Sequence, residues 1–184
     1  MITKSKAQDW RTPPQVFAAL HREYAFTIDA AAGIGNNLLP RFWTFTHNAL
    51  AHSLEGERAF CNPPFGMIYD FLAWGLDEAA GGFSCFLVPA NQETDWFHDL
   101  AVHGDKHIFK RRVEYVPPRG VDVSSPSFSS MLVMFGPGVV SSGLGFSRRR
   151  DGKTGERLPD PVTSPRLGGH YSRDGRWIVD EIAA

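Results

Sequence analysis

Hydrophobic positions along the chain follow two periods, one typical of helices and one of buried strands. Apolar residues spaced three and four apart predict helices over residues 13–24, 68–79 and 93–102. Short apolar runs predict strands over residues 26–29, 57–61, 83–88, 108–109, 113–115 and 131–135. Because strands alternate with helices, we expect an α/β domain with a mixed, mostly parallel sheet, in which residues 131–135 form a central strand.

The first predicted helix has a well-marked start. Thr12 is a favourable N-cap, Pro13 suits the first helical position, and Gln15 lies three residues after the cap, as in a capping box. Asp9 and Trp10 immediately before it are not needed for a helix start. We therefore consider a second role for this segment.

The segment Asn62-Pro63-Pro64-Phe65 follows the predicted strand 57–61, at the end where open α/β sheets bind ligands. The two prolines stiffen the backbone and leave the Asn62 amide and the Pro63 carbonyl free to accept hydrogen bonds. Such acceptors can localise the lone pair of an exocyclic amine on a nucleobase, which is otherwise a poor nucleophile. Phe65 can stack on the base. The pattern favours methyl transfer to a flipped-out base, and the alternative is a turn with Phe65 in the core.

A second ligand segment is predicted upstream. Asp29 ends the strand 26–29 and precedes a run of small residues that includes Ala30, Ala31, Gly33 and Gly35. An acidic residue before an Ala/Gly turn suits a nucleotide-like cofactor, whose cationic amino group Asp29 can bind. Asn62 follows Asp29 by only 33 positions, so we expect a loop over residues 36–46 to replace one crossover helix.

Composition indicates a single soluble domain of 184 residues, 42% hydrophobic and 21% charged. No stretch is long and apolar enough to span a membrane, and the N-terminus lacks a secretory pattern, so a cytoplasmic location is expected. Cys61 and Cys85 lie in predicted strands and are interpreted as reduced core residues. The seven histidines show no metal-ligand spacing, and we expect no metal site.

The net charge of −1 is not that of a strongly basic DNA-binding protein, but basic residues cluster locally. Residues 148–150 form one group, and the other comprises Lys106, His107, Lys110, Arg111, Arg112 and Arg119. We predict phosphate contacts from Lys110, Arg111, Arg112 and Arg119. A solvated charged face is the alternative for each group.

Composition shifts after residue 135 toward Gly, Ser, Pro, Arg and Asp. We therefore predict a catalytic domain over residues 1–135 and a C-terminal extension over residues 136–184. The extension is interpreted as a mobile loop that recognises the target, a segment that docks through Trp177, or a disordered tail.

These segments together resemble a known family. Asp-Trp-x-Thr-Pro at residues 9–13, Phe-Thr-Ile-Asp-Ala-Ala-Ala at 26–32 and Phe-Cys-Asn-Pro-Pro-Phe at 60–65 are similar to the phage-encoded DNA N6-adenine methyltransferases, the Dam-like group. Further similarity extends to about residue 135. The resemblance implies a compact Rossmann-like fold, S-adenosylmethionine as cofactor and DNA as partner. Host mimicry and protection from restriction both stay open as the biological purpose.

The resemblance also implies residue roles. Asn62, Pro63, Pro64 and Phe65 would be catalytic. The cofactor would contact Trp10, Thr12, Pro13, Asp29, Ala30, Ala31, Gly33, Gly35 and Asn48, with an aromatic of residues 41–44 beside its adenine. Related enzymes often carry an acidic residue where this chain has Asn48, and an amide bears no charge.

Two other functions stay open at this point. Cytosine N4 presents a similar exocyclic amine, so a cytosine N4 methyltransferase is one alternative. A non-catalytic DNA-binding protein that retains the fold is the other. Similar loops also serve enzymes that methylate RNA or protein glutamine, and the sequence does not indicate an oligomeric state.

Overall fold

The computed structural model describes residues 10–33, 35–117, 126–159, 169–171 and 177–179. Six strands form the main sheet, with bounds β1 Ile28–Asp29, β2 Arg58–Cys61, β3 Phe83–Pro89, β4 Asp105–Phe109, β5 Ser130–Phe135 and β6 Arg148–Arg150. Their spatial order is β1-β2-β3-β5-β4-β6. Three of the five neighbouring pairs are parallel, and β5 runs antiparallel between β3 and β4. This confirms the predicted mixed, mostly parallel sheet with a central strand at 131–135.

Helices cover both faces of the sheet. They are α1 Pro14–Tyr24, α2 Ile68–Asp77 and α3 Asp95–Asp99, with short 3-10 turns at Phe45–His47, Ala49–Ala51, Phe65–Met67, Glu78–Ala80 and Ala101–His103. Alternate residues of β3 point to opposite faces, so Leu87 belongs to the core beside α1 and Val88 to the core beside α2 and α3. Burial on both faces explains why β3 reads as a continuous apolar run. Cys61 and Cys85 are fully buried free thiols, as expected.

The start of α1 differs from the prediction. The helix begins at Pro14, and Pro13 takes the N-cap position in an extended conformation without a side-chain cap. Phe17 donates its amide to the Pro13 carbonyl at 3.0 Å, which places the first helical turn one residue later than expected. Thr12 is therefore not the N-cap, and no capping box forms with Gln15.

Two other predicted elements differ. Residues 113–115 do not form a strand, because only the next residue, Val116, makes an isolated bridge, with Arg11. The helix predicted over 93–102 is restricted to α3 and a following 3-10 turn. Leu100, with φ −124° and ψ −56°, interrupts the helical path between them.

A loop replaces the crossover after β1, as predicted from the short spacing. The described residues between 30 and 44 contain no helix. The loop returns beside β1, where Asp29 donates its amide to the Arg41 carbonyl at 3.1 Å and accepts from the Trp43 amide at 2.8 Å. Residues 41–43 thus extend the sheet edge with a parallel bridge, and this path brings the loop to the carboxyl end of β1.

Residues after β5 also contribute to the main sheet. In β6, Arg150 is 1% exposed and joins α1 to β4. Its guanidinium donates to Glu23 Oε2 at 2.6 Å, to the Tyr24 hydroxyl at 2.7 Å and to His107 Nδ1 at 3.1 Å. Strands β7 Gly169–Tyr171 and β8 Trp177–Val179 pair antiparallel in a separate sheet. The Trp177 side chain lies outside the described part of the structure, so its docking stays a prediction.

Candidate active site

A cleft of about 870 Å³ lies at the carboxyl ends of β1 and β2, where parallel sheets present ligand sites. The turn after Asp29 forms one side, the loop after Cys61 another, and the segment before α1 a third. Ten of the predicted site residues line it, namely Trp10, Thr12, Asp29, Ala30, Ala31, Gly33, Gly35, Asn48, Asn62 and Pro64. Pro13, Pro63 and Phe65 do not line it.

Asn62 is half-buried at the end of β2, and its amide has a defined orientation. Nδ2 donates to the Trp10 carbonyl at 2.7 Å. Because the nitrogen is committed to that carbonyl, Oδ1 is left as the free acceptor, and it receives no hydrogen bond from any described residue. The bond also ties the loop after β2 to the segment before α1.

The prolines and Phe65 hold the loop after Asn62 in place. Pro63 is buried, and Pro64 is extended with φ −53° and ψ 135° before the 3-10 turn that starts at Phe65. The half-buried Phe65 ring packs perpendicular to Phe128, with ring centroids 5.2 Å apart, and Phe128 contacts Tyr115. An aromatic row therefore supports the loop beside the cleft.

Asp29 is a buried carboxylate, 3% exposed, in the wall of the cleft. Its Oδ2 accepts from the Leu38 amide at 3.0 Å, and Oδ1 accepts a longer bond of 3.4 Å from the Ala31 amide. Burial raises the pKa of Asp29, and these two hydrogen bonds offset part of that rise. No described basic side chain forms an ion pair with Asp29, so a cationic ligand would supply the missing countercharge.

The small residues after Asp29 allow a tight turn. The Gly33 amide donates to Asn36 Oδ1 at 2.5 Å, and a Cβ atom at Gly33 would lie 2.8 Å from Asn36 Nδ2. Gly35 has φ +76°, which favours glycine. Both glycines line the cleft, and the room that they leave for a cofactor stays a prediction.

The segment before α1 closes the cleft. Thr12 is 4% exposed, and its hydroxyl is buried without a hydrogen-bond partner. Arg11 and Val116 exchange backbone hydrogen bonds of 3.0 and 2.9 Å, so residues 10–12 are attached to the chain just after residue 115 as well as to Asn62. Arg11 also lines the cleft, although no sequence pattern had indicated it.

Comparison with known proteins adds the decisive finding to this geometry. The family model for DNA N-6-adenine-methyltransferase (Dam) matches residues 1–149, which include the cleft and the Asn62 loop. The chain belongs to the Dam family of DNA N-6-adenine methyltransferases. No curated protein sequence matches the chain. Membership in the Dam family confirms the resemblance seen in the sequence and supports methyltransferase activity on DNA.

Neither aromatic residue of the segment 41–44 lines the Dam-family cleft, and the adenine contact predicted for this segment stays a prediction. The Trp43 ring stacks on His52 with centroids 4.7 Å apart and packs against Trp74. Of residues 41–44, Thr44 alone lines the cleft. The later residues Asn48 and Leu50 also line it, and Asn48 is exposed with φ +50°. The Trp43 ring therefore packs on its aromatic neighbours and is not part of the cleft wall.

Several lining residues of this Dam-family cleft were missed. Met67 ends the 3-10 turn before α2, and Phe71 lies in the first turn of α2, where its helical spacing indicated only a core role. Leu38 lines the cleft while its amide holds Asp29. None of these has a sequence signal of its own, because their contribution depends on which side of the helix or loop faces the cleft.

The predicted DNA-contacting cluster is divided by the fold. Lys110, Arg111 and Arg112 are exposed just after β4, whereas Arg119 lies outside the described residues. Lys106 is buried, and its Nζ donates to the carbonyls of Ala101 and Gly104 at 2.9 and 3.1 Å.

Burial also removes two other residues of the basic groups from the protein surface. His107 is 1% exposed, and burial lowers its pKa. Arg150 is occupied by the contacts described above. A solvated or DNA-facing role for Lys106, His107 and Arg150 was therefore wrong, because they serve the fold of this Dam-family chain.

Two further observations concern metals and membranes. Among the described residues of this Dam-family chain, no group of three or more His, Cys, Asp or Glu side chains is placed to hold a metal ion. No helix in the described part is long and apolar enough to cross a membrane.

Proposed function

We propose that this chain transfers a methyl group from S-adenosylmethionine to N6 of a flipped-out adenine in DNA, by direct displacement. One observation carries the proposal: the free Oδ1 acceptor of Asn62 shares a cleft with the buried carboxylate of Asp29. The first group suits the amine of a base, and the second suits the amino group of a methionine moiety. The family match supports DNA adenine as the substrate.

The residues of the cleft fit S-adenosylmethionine. The volume of the cleft, about 870 Å³, lies within the range of roughly 300–1,000 Å³ for small-molecule sites. Asp29 offers a carboxylate to the ammonium, and Leu50 and Phe71 offer apolar surface. When bound, S-adenosylmethionine supplies an electrophilic methyl group.

Asn62 prepares the amine of the base. The Trp10 carbonyl holds Nδ2, so Oδ1 faces the incoming amine as an acceptor. Accepting one N–H hydrogen, with the Pro63 carbonyl taking the second, localises the nitrogen lone pair toward the methyl group. The methyl carbon would pass to the nitrogen as its bond to the donor sulfur breaks, so that the sulfonium leaves as a neutral thioether. The excess proton on the nitrogen would then pass to water, because a neutral amide such as Asn62 is a very weak base.

Phe65 and the basic surface position the DNA. The base must leave the duplex to reach Asn62, and stacking on an aromatic ring such as Phe65 contributes about 1–3 kcal/mol. The exposed Lys110, Arg111 and Arg112 bind the phosphate backbone in this proposal. Their affinity for DNA should therefore fall as salt increases.

The test is methyl transfer by the purified full chain. The chain is incubated with methyl-labelled S-adenosylmethionine and with matched oligonucleotides that contain adenine or purine, which lacks the amine. We expect label only with adenine, and N6-methyladenine by mass analysis of the nucleosides. Detection of N4-methylcytosine would establish the cytosine alternative, and absence of label on varied DNA, with intact DNA binding, would establish the non-catalytic one.

A further inference from the structure

A short hairpin follows β6 and lies beyond the part of the chain that the Dam family model matches, which ends at residue 149. We call residues 151–158 the C-terminal hairpin. The Asp151 amide donates to the Glu156 carbonyl at 2.9 Å, and the Leu158 amide donates to the Arg149 carbonyl at 3.0 Å. These backbone bonds give the hairpin a defined conformation.

The C-terminal hairpin packs against the basic segment that follows β4. The Lys110 amide donates to the Arg150 carbonyl at 2.7 Å, so the two chain segments leave the sheet side by side. Gly152 is buried against the backbone of Arg111, and a Cβ atom at this position would collide with the Arg111 carbonyl. Glycine therefore permits the close approach of the hairpin to the basic segment.

Two ion pairs cross this contact. Arg111 Nη1 lies 3.9 Å from Asp151 Oδ2. Lys153 Nζ lies 3.4 Å from Glu114 Oε1. Both cations remain open to solvent, because the side chains of Arg111 and Lys153 are 62% and 57% exposed. The hairpin thus adds a fourth exposed cation beside Lys110 and the two arginines after it.

The C-terminal hairpin and Asn62 lie at the same edge of the main sheet. Strands β2, β4 and β6 run in one direction, because β3 and β4 are both antiparallel to β5 while β2 and β6 are parallel to β3 and β4. Their carboxyl ends carry Asn62, Lys110 and Asp151. Four strand spacings, about 19 Å, separate β2 from β6. About six base pairs of a duplex cover this distance, so DNA that presents a base to Asn62 is long enough to reach the hairpin.

We propose that the C-terminal hairpin binds the phosphate backbone of DNA through Lys153, beside Arg111. This inference rests on the proposed function. In the free protein, Glu114 and Asp151 hold the two cations, and phosphates replace these carboxylates in the complex. Exposed ion pairs contribute little to stability, so the exchange costs little. The displaced carboxylates repel the phosphates, which limits affinity and favours release of methylated DNA.

The chemistry of the hairpin favours phosphate over a base edge. The amides of Lys153 and Thr154 donate to Asp151 Oδ1 at 2.9 and 3.0 Å, so they are not available to a base. These two bonds lower the pKa of Asp151, which keeps the carboxylate charged at neutral pH. Lys153 then offers a point charge, which suits phosphate and carries little information about sequence.

The first test measures DNA binding by the full chain in fluorescence anisotropy over a range of salt concentrations. Lys153→Gln should weaken the affinity severalfold and reduce the slope of log affinity against log salt by about one. Arg148→Gln is the matched control, because it removes the same charge from the exposed start of β6, away from the edge that carries Asn62. Equal effects of the two substitutions would overturn the proposal.

The second test removes a competing carboxylate. Asp151→Asn keeps an oxygen acceptor for the two amides of the turn but loses the charge, so DNA affinity should rise severalfold. Glu156→Gln is the control, because Glu156 lies in the same hairpin but pairs with Arg22 on α1. An affinity of Asp151→Asn at or below that of Glu156→Gln would show that the carboxylate does not compete with phosphate.

Two comparisons separate this inference from its alternatives. The loss in Lys153→Gln should be the same on duplexes of different sequence, and a loss confined to one sequence would assign the hairpin to base recognition and overturn phosphate binding. If the wild-type chain transfers label to DNA while Lys153→Gln and Arg148→Gln bind alike, only the role of the hairpin fails. If the wild-type chain neither binds DNA nor transfers label, the proposed function fails as well.

Discussion

Replacing Asn62 with alanine should reduce turnover far more than donor affinity. The variant loses Oδ1, the acceptor proposed to act on the amine in the transition state, and removal of one such group costs about 10²–10³ in kcat. It also loses the 2.7 Å bond from Nδ2 to the Trp10 carbonyl. That bond is half-buried and neutral, so its loss costs about 0.5–1.5 kcal/mol, which corresponds to at most about a tenfold change in the Kd of S-adenosylmethionine.

Asn62→Asp is the matched variant. It keeps an oxygen acceptor at the Oδ1 position but places a second oxygen against the Trp10 carbonyl, which displaces residues 10–12. We therefore expect a smaller loss of kcat than in Asn62→Ala and a larger loss of donor affinity. Single-turnover transfer of labelled methyl measures the chemical step, and calorimetry measures donor binding. Turnover of Asn62→Ala within a few fold of wild type would refute the assigned role of the amide.

Three further predictions concern charge. Because burial raises the pKa of Asp29 above its ordinary value of 3.8, donor affinity should fall as pH decreases through that raised value and Asp29 becomes neutral. Calorimetry from neutral to acid pH should show this loss of donor affinity in the wild type, whereas Asp29→Asn should bind the donor weakly at all pH values. If donor affinity fell with pH equally in both proteins, the role of Asp29 would be contradicted. Arg150→Met should lower the free energy of unfolding by about 3 kcal/mol in urea titrations, because it breaks a buried ion pair, whereas Arg148→Met on the exposed end of β6 should change it little. Equal effects would contradict the buried role. Lys110→Ala and Arg112→Ala should each weaken DNA binding and reduce its salt dependence in fluorescence anisotropy, and an unchanged salt slope would remove these residues from the interface.

Much of the fold could be predicted because local patterns and burial agree. The apolar run of β3 is buried on both faces, and the helical spacing of residues 68–79 matches α2. Thr12 shows where this agreement ends. Its type and spacing are those of an N-cap, but the extended Pro13 starts the helix one residue later and leaves the Thr12 hydroxyl buried without a hydrogen-bond partner. Local propensity alone does not distinguish these two outcomes.

The basic residues show the same limit. Arg148, Arg149 and Arg150 are identical in type, and a run of cations is normally a solvated surface. Arg148 and Arg150 share one face of β6, but only Arg150 lies against Glu23 on α1, so Arg150 is buried while Arg148 stays exposed. That outcome depends on two elements more than a hundred residues apart.

The chemistry of the site was determined by residue type and order, since the Asn62 segment and the Asp29 turn carry their acceptors and small residues wherever the chain folds. The tertiary structure decided which groups share one cleft. It gave the Asn62 amide its orientation through the Trp10 carbonyl, placed Arg11 in the cleft wall, and packed the Trp43 ring on His52. Such pairings depend on distances between segments distant in sequence, and no local period or propensity encodes those distances.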